Sequence, residues 1–339
     1  MIEQKRTQPE WTERLHVFMA RELGIEAPIT LERIVAGQSN PTFFLDAGER
    51  RLVLRMQPPG ELLPSAHALD RESRVMRALE DTGVAVPHVL CYSEDRSVVG
   101  TTFYIMERID GRVFPQARID GVSASERRAM YRSAAAMLAR LHAVDWQSAG
   151  LSDYGKPANY FTRQVRRWSS QWEASKRREI PDLDRLIARL PESIPQENPT
   201  VICHGDYRFG NLMIAPAGTN VVAVLDWELS TLGDPMADVG YFCMPYYIES
   251  TSSEGLAGLD LETLGIPSQA EFVADYNAAG GSKRQLLPFH IAFGFFRFAV
   301  IVAGIEDRAH RGNASHPDAA HSFGRADLYS RIACEILEI

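Results

Sequence analysis

The chain has 339 residues, 45% of them hydrophobic, and a formal net charge of −8 at pH 7. This length and apolar content suffice for a buried core and for two lobes, while the negative charge argues against nucleic acid or an anionic membrane as the main partner, because both attract basic surfaces. The four cysteines show no close spacing to one another or to histidine, which favours reduced core residues over a metal or disulfide role.

The N-terminal segment carries no recognisable targeting signal. Residues 1–25 are charged throughout and lack the apolar core of a signal peptide. Residues 11–24 place apolar side chains at helical spacing, which predicts a short amphipathic helix packed on the body. No apolar run along the chain reaches the roughly 18 residues that a membrane span needs, so we expect a cytoplasmic protein without a membrane partner.

Three antiparallel strands are predicted next. Between Leu31 and Met56 the pattern changes to short apolar runs, LERIVAG, TFFLDA and RLVLRM, and the segment at 47–50 forms the predicted hairpin turn between the last two. A further apolar stretch from Val98 to Ile109 predicts a buried strand that runs into a connector.

The chain then becomes mostly helical. Ser123 and Glu126 fit a capping box, and apolar residues repeat at helical spacing after it, which predicts a core helix. Residues 160–189 predict another helix or a helix pair, in which Trp168 and Trp172 lie four apart among charged residues. Packing on the core is the favoured interpretation of these two tryptophans, and the floor of a substrate pocket is the alternative.

Two short apolar runs then lead into polar clusters. Residues 201–203 precede His204, Gly205 and Asp206, and residues 221–225 precede Asp226. Short apolar runs bounded by turn residues predict buried strands, and the segment 216–220 predicts a hairpin turn between them. This pairing would bring Asp206 and Asp226 to one edge.

The order and spacing of these polar residues resemble a known family. Asn211 follows Asp206 at the offset found in the catalytic loop of protein kinases. The pattern of His204, Asp206, Asn211 and, after an apolar strand, Asp226 resembles the aminoglycoside phosphotransferase and choline kinase family. The texts PPGELLPSAHALDRE, GTTFYIMERIDGR, HGDYRFGN, LDWELSTLGDP and RGNAS are similar to the phosphotransferase domain found fused to, or encoded beside, acyl-CoA dehydrogenases.

The resemblance implies an α+β, bilobal, protein-kinase-like fold. A small antiparallel-sheet lobe for nucleotide binding would span residues 1–107, and a larger, mostly helical lobe with the catalytic and substrate residues would span 108–339. It implies ATP and Mg²⁺ as cofactors and a hydroxylated small molecule as substrate. Oligomeric state is not predicted.

The resemblance also implies nucleotide contacts in the first lobe. Ser39 lies in a loop that would cover the phosphates, although this loop lacks the three glycines of protein kinases. Arg55 stands where the family carries a lysine for the α and β phosphates, and its planar fork also suits phosphate oxygens. Glu72 is its candidate partner. The alternatives are a surface arginine and an ion pair on an exposed helix face. Main-chain groups from Glu107 to Ile109 would meet the adenine.

In the second lobe the roles follow from charge. Asp206 would accept the proton of the acceptor hydroxyl as the general base, and Arg208 would neutralise charge on the transferred phosphate. Asn211 and Asp226 would supply oxygen ligands to Mg²⁺, which prefers them.

The acceptor stays open at the level of sequence. Resemblance to the acyl-CoA-dehydrogenase branch implies a hydroxyacyl-CoA or a hydroxy acid, and an aminoglycoside-type antibiotic kinase or a nucleotide-binding pseudokinase are the alternatives. From Asp226 to Ser282 the chain carries acidic residues but no Lys, Arg or His. This stretch could attract a cationic substrate, although a solvated acidic loop is favoured. Arg297, Arg308 and Arg311 would suit an anionic substrate if they face the site.

Overall fold

The computed structural model describes residues 9–34, 40–58, 68–196, 199–310 and 324–339, with only the backbone described at 307–310. The chain divides into two compact units, Met1–Asp110 and Gly111–Ile339. Unit 1 is built on a sheet, whereas unit 2 is mostly helical. The sequence placed the boundary between lobes at 107/108, close to this division.

The core of unit 1 is a five-stranded antiparallel sheet. Its strands are β1 (Ile29–Ile34), β2 (Thr42–Ala47), β3 (Arg50–Met56), β4 (Val89–Ser93) and β5 (Phe103–Glu107). They are ordered β1-β2-β3-β5-β4. The predicted hairpin of β2 and β3 is confirmed, since Ala47 pairs with Arg50 around Gly48, whose φ of 61° favours glycine.

Three helices of unit 1 accompany this sheet: α1 (Thr12–Leu23), α2 (Leu69–Leu79) and α3 (Arg96–Val99). The amphipathic α1 is confirmed, and it buries Leu15 and Met19 against the sheet. The strand predicted from Val98 is shorter than expected. Val98 belongs to α3 because the Asp95 side chain accepts the Ser97 N–H and starts a helical turn there.

Unit 2 contains a second set of helices. They are α4 (Ala124–Ala143), α5 (Tyr160–Ser175), α6 (Pro181–Arg189), α7 (Pro235–Phe242), α8 (Leu261–Leu264), α9 (Gln269–Ala278), α10 (Pro288–His310) and α11 (Arg325–Leu337). The predicted capping box is confirmed, since Ser123 donates its N–H to Glu126 at 2.9 Å and accepts the Glu126 N–H at 3.3 Å. Trp168 and Trp172 are buried in the core of this unit, so packing explains them.

Helix α10 lies at the centre of the helical core. It packs against α5, α7 and α11, and its phenylalanines Phe293, Phe295 and Phe296 are buried. Its stretch Pro288–Glu306 is long and apolar enough to cross a membrane by length and composition, but 78% of its most apolar window is buried inside the protein. We therefore describe it as a core helix.

The short strands of unit 2 pair differently from the prediction. They are β6 (Arg112–Val113), β7 (Val201–Cys203), β8 (Leu212–Ile214), β9 (Val221–Val224) and β10 (Thr231–Gly233). Strand β7 pairs with β10, and β9 pairs with β8, so the predicted hairpin of β7 and β9 is wrong. The predicted turn is present, with the Ala215 N–H donated to Asn220 O at 2.9 Å, but it connects β8 to β9 and not β7 to β9.

Candidate active site

The loop after β7 is held by a buried carboxylate. Asp238, in the first turn of α7, accepts the backbone N–H of His204 at 2.7 Å and that of Gly205 at 2.8 Å. The Nε2 atom of His142 lies 3.2 Å from the same side chain. Burial opposes the charged form, but the hydrogen bond and charge of His142 and the hydrogen bond from the Gly205 N–H bring the pKa of Asp238 below its ordinary value. The carboxylate is therefore ionised and braces the loop.

His204 connects this loop to the end of β9. Its Nδ1 atom accepts the backbone N–H of Asp206 at 3.1 Å, and its Nε2 atom lies 2.9 Å from Leu225 O. Because Nδ1 is an acceptor, the proton must sit on Nε2 and be donated to Leu225. His204 thus holds the shape of the loop, with both ring nitrogens engaged by backbone groups.

Gly205 gives the first testable prediction. Its φ is 84°, and a Cβ atom there would lie 2.5 Å from Leu229 O. Gly205→Ala should lower the free energy of unfolding by more than the roughly 1–2 kcal/mol that left-handed backbone costs a residue with a Cβ. Gly121→Ala is the matched control, because Gly121 has φ 83° with nothing within 4 Å of a Cβ. Chemical denaturation would show the contrast, and equal losses would contradict the close contact.

The Asp206 carboxylate lies among three donors. Asn211 Nδ2 donates to Oδ2 at 2.7 Å, Tyr241 donates its hydroxyl to Oδ1, and Arg208 Nε lies 3.6 Å from Oδ2. Partial burial disfavours charge on Arg208, whose side chain is still 50% exposed, and the Asp206 carboxylate raises the pKa of its guanidinium. The structure thus brings together the two predicted catalytic residues and adds Tyr241, which sequence reasoning missed.

The two predicted metal ligands are linked through the backbone. Asn211 Nδ2 also donates to Asp206 O at 2.9 Å, which leaves its side-chain oxygen as the possible ligand. The Leu225 N–H donates to Asn211 O at 2.8 Å, so Asp226 follows a residue that is tied to Asn211. Asp226 itself has left-handed backbone, with φ 66°.

This donor set fits Mg²⁺. Hard oxygen ligands from one or two side chains, completed by water and substrate phosphates, are the usual protein environment of this ion. Within the described ranges, no group of three or more His, Cys, Asp or Glu side chains could hold a metal by protein ligands alone. An amide and a carboxylate thus suit a metal that arrives with a nucleotide.

In unit 1 the predicted ion pair is present. Arg55 Nε lies 2.9 Å from Glu72 Oε2, and the Glu72 side chain is 1% exposed. Glu72 also accepts Tyr104 OH at 3.1 Å and Asn40 Nδ2 at 3.2 Å. Neither a surface arginine nor an exposed-helix ion pair describes this arrangement. Ser39 lies outside the described residues.

The connector after β5 leaves particular main-chain groups for a base. The Glu107 N–H is donated to His88 O at 2.9 Å, and the Arg108 N–H is donated to Arg51 O at 3.0 Å. Both donors are thus used within unit 1. A base that bonds this connector would therefore need main-chain groups other than these two donors.

A pocket of about 170 Å³ lies in unit 2 beside the loop after β7. Arg208 and Tyr241, which both approach Asp206, are part of its wall. Aromatic and aliphatic side chains make up most of the rest, among them Phe209, Phe242, Met244 and Phe298. Its one carboxylate belongs to Glu254, which is paired with Arg325 at 3.1 Å and accepts Tyr329 OH at 2.9 Å.

The acidic stretch after Asp226 serves mostly structural roles. Its side chains cap helices, brace the catalytic loop or pair with arginines: Asp234, Asp238, Glu254, Asp260, Glu271 and Asp275. These contacts explain the six side chains without a cationic substrate, and they show that the stretch is more than a solvated loop.

Arg297 also has a structural environment. Its side chain is buried and donates to Gly205 O, with the guanidinium carbon 5.1 Å from the centre of the Tyr241 ring. It therefore supports the loop. The side chains of Arg308 and Arg311 lie outside the described part of the chain.

Asp206 is ordered by Asn211, five residues later, and Asp226 follows as a second aspartate. Kinase-type phosphoryl-transfer enzymes use this arrangement. The model of the APH phosphotransferase enzyme family matches residues 30–289. The chain belongs to this family.

The chain is similar to proteins that carry different names, and the solved structures among them share its fold. Acyl-CoA dehydrogenase family member 10 of Mus musculus is 42% identical over 309 residues, which cover 90% of this chain but 29% of the mouse protein. A crystal structure from Ralstonia eutropha JMP134, provisionally assigned as an aminoglycoside phosphotransferase, is 42% identical with a TM-score of 0.86, covering 96% of this chain and 98% of that chain. Choline kinase of Cryptosporidium parvum shares 12% identity with a TM-score of 0.66, covering 96% of each chain, and shows the fold alone. The predicted α+β, protein-kinase-like fold is confirmed.

Proposed function

We propose that the protein transfers the γ-phosphate of ATP to a hydroxyl group of a small molecule, with Mg²⁺ as the metal. One observation carries this proposal: the Asp206 carboxylate is ordered by Asn211 and Tyr241, and Tyr241 and Arg208, which both approach it, line a pocket. A base beside a pocket can meet an acceptor hydroxyl, whereas a purely structural aspartate needs no such space.

The residues of unit 2 would act by position and charge. Asp206 accepts a hydrogen bond from the acceptor hydroxyl and takes its proton as the hydroxyl oxygen bonds the γ-phosphorus, while the bond from that phosphorus to the bridging oxygen breaks and ADP leaves. Arg208 compensates negative charge on the transferred phosphate. Asn211 and Asp226 would hold Mg²⁺, which when bound neutralises charge on the nucleotide phosphates.

The residues of unit 1 would bind the nucleotide. Glu72 fixes the guanidinium of Arg55, whose Nε atom lies 2.9 Å from Glu72 Oε2, and this planar cation would contact phosphate oxygens. The Glu107 carbonyl and the Ile109 N–H would meet the adenine. We retain Ser39 as a proposed phosphate contact on sequence grounds.

The acceptor that the pocket suits best has an apolar body. Its wall is mostly aromatic and aliphatic, and its Glu254 carboxylate is already paired with Arg325. The chain spans between 29% and 39% of the curated relatives that it matches, which are named as acyl-CoA dehydrogenase family members. A hydroxylated acyl group, as a coenzyme A thioester or a free hydroxy acid, fits both observations.

Two other functions remain alternatives. The provisional name of the Ralstonia structure favours an aminoglycoside, but such a polycation would need carboxylates that this chain uses for caps and ion pairs. A pseudokinase would bind nucleotide without transfer. The ordered Asp206 and the linked Asn211 and Asp226 favour an active enzyme.

The proposal predicts selective turnover. With Mg-ATP, ADP release should rise with hydroxyacyl thioesters or hydroxy acids, and kcat/KM for them should exceed that for an aminoglycoside or choline by about 10-fold or more, because apolar contacts discriminate to this extent. The same thioesters without a hydroxyl are the control. Turnover with the aminoglycoside alone would support the antibiotic kinase, and no stimulation by any acceptor would support the pseudokinase.

A further inference from the structure

Tyr241 contacts both the Asp206 carboxylate and the pocket. Its ring is part of the pocket wall, and its hydroxyl donates to Asp206 Oδ1. Burial, and then the charge of Asp206, hold the pKa of the Tyr241 phenol well above its ordinary value. The phenol therefore stays protonated and can serve as a donor at any physiological pH.

Two donors together fix the plane of the Asp206 carboxylate. Tyr241 holds Oδ1, and Asn211 Nδ2 holds Oδ2 at 2.7 Å. A rotation of the carboxylate would break at least one of these hydrogen bonds. Each carboxylate oxygen can accept a second hydrogen bond, so the fixed carboxylate offers the acceptor hydroxyl two sites of defined direction.

Helix α10 supports Tyr241 from the side of the core. The Arg297 guanidinium carbon lies 5.1 Å from the centre of the Tyr241 ring, and the same side chain donates to Gly205 O, directly before Asp206. The neighbouring Gly240 allows this approach, because a Cβ there would lie 2.6 Å from His290 O. One buried cation thus holds both the tyrosine and the loop that carries the base.

We propose that Tyr241 is a positioning residue for phosphoryl transfer, which orients Asp206 through its hydroxyl while its ring lines the acceptor pocket. The inference rests on the proposed function, because it gives Asp206 the role of base. Proton transfer depends steeply on geometry, so a carboxylate that can rotate would slow the chemical step. Binding of the acceptor would change little as long as the ring remains.

The test is Tyr241→Phe, which keeps the ring and removes the donor. We expect kcat to fall by about 10-fold or more, with KM for acceptor and for ATP within about twofold. Tyr154→Phe is the control, since the buried Tyr154 hydroxyl bonds Ser230 Oγ at 2.6 Å and does not touch Asp206. Unchanged kcat in Tyr241→Phe, or an equal loss in both variants, would overturn the proposal.

A double-mutant cycle measured by thermal unfolding tests the contact between Tyr241 and Asp206 even if the wild-type protein phosphorylates no acceptor. That result would reject the proposed function, but the contact can still be measured by the melting of Tyr241→Phe, Asp206→Ala and the double variant. If the hydroxyl bonds the carboxylate, each single variant loses the same hydrogen bond. The losses in Tm of the two single variants, added together, should then exceed the loss of the double variant by about 3 °C. Additive changes would overturn the assignment of Tyr241 as the residue that holds Asp206.

Discussion

Asp206→Ala should lower kcat by about 10²–10⁴-fold, the range that a general base supplies, while the affinity for Mg-ATP stays within a few fold. The carboxylate lies behind two residues of the pocket wall, Tyr241 and Arg208, and its Oδ1 and Oδ2 atoms accept hydrogen bonds from Tyr241 and Asn211. Its removal leaves the acceptor hydroxyl without a proton acceptor. Steady-state ADP release and calorimetric titration with Mg-ATP would measure the two effects separately.

Alanine is the appropriate replacement because of how Asn211 is held. Asn211 Nδ2 donates to the backbone O of Asp206 at 2.9 Å as well as to its side chain, and alanine keeps the backbone acceptor. Asp206→Asn would instead replace one carboxylate oxygen by an amide N–H₂ group. That group would face the donor of Asn211 or of Tyr241, and this donor would lose its acceptor. Turnover by Asp206→Ala close to that of wild type would remove Asp206 from the role of base.

The parts of the fold that follow local rules could be predicted from the sequence. The capping box at Ser123 fixes the start of α4, and the turn at Gly48 fixes the register of β2 and β3, because both depend on residues a few positions apart. The motif spacing likewise identified Asp206 and Asn211, whose contact closes within one loop.

The parts of the fold that depend on residues far apart in the chain could not be predicted from the sequence. A strand of three residues such as β7 carries too little pattern to choose between β9 and β10, and its partner lies beyond both β8 and β9 in the chain. Tyr241 follows Asp206 at a distance of 35 residues, for which no spacing rule exists. Arg297 looked like a ligand for an anion, but its helix is buried, and its charge is used against Gly205 O and the Tyr241 ring.

Buried charge explains why these distant contacts matter. Asp238 and Arg297 hold the same loop from α7 and α10, the first through the N–H groups of His204 and Gly205 and the second through Gly205 O. Removing one partner of a buried charged hydrogen bond leaves the other unsatisfied, which costs more than an exposed contact. These two buried charges therefore hold the loop in one conformation, which a base that must meet a hydroxyl would require.

Asp226→Asn should weaken Mg-ATP binding by at least about 10-fold, the lower end of what even outer ligands of a metal contribute, with little change in stability. Asparagine tolerates the left-handed backbone of Asp226 (φ 66°), whereas alanine would add strain of about 1–2 kcal/mol and confuse ligand loss with misfolding. The variant keeps an oxygen but loses the charge that Mg²⁺ prefers.

Titrations with and without Mg²⁺ separate ligation from general electrostatics. If Asp226 is a metal ligand, Asp226→Asn should weaken ATP binding in the presence of Mg²⁺ and leave metal-free binding unchanged or slightly tighter, because a negative charge near the phosphates is gone. Glu228→Gln is the matched control: it removes the same charge from an exposed side chain two residues later. An equal loss in both variants would mean that long-range charge, and not coordination by Asp226, governs metal-dependent binding, and intact Mg-ATP affinity in Asp226→Asn would place the metal elsewhere.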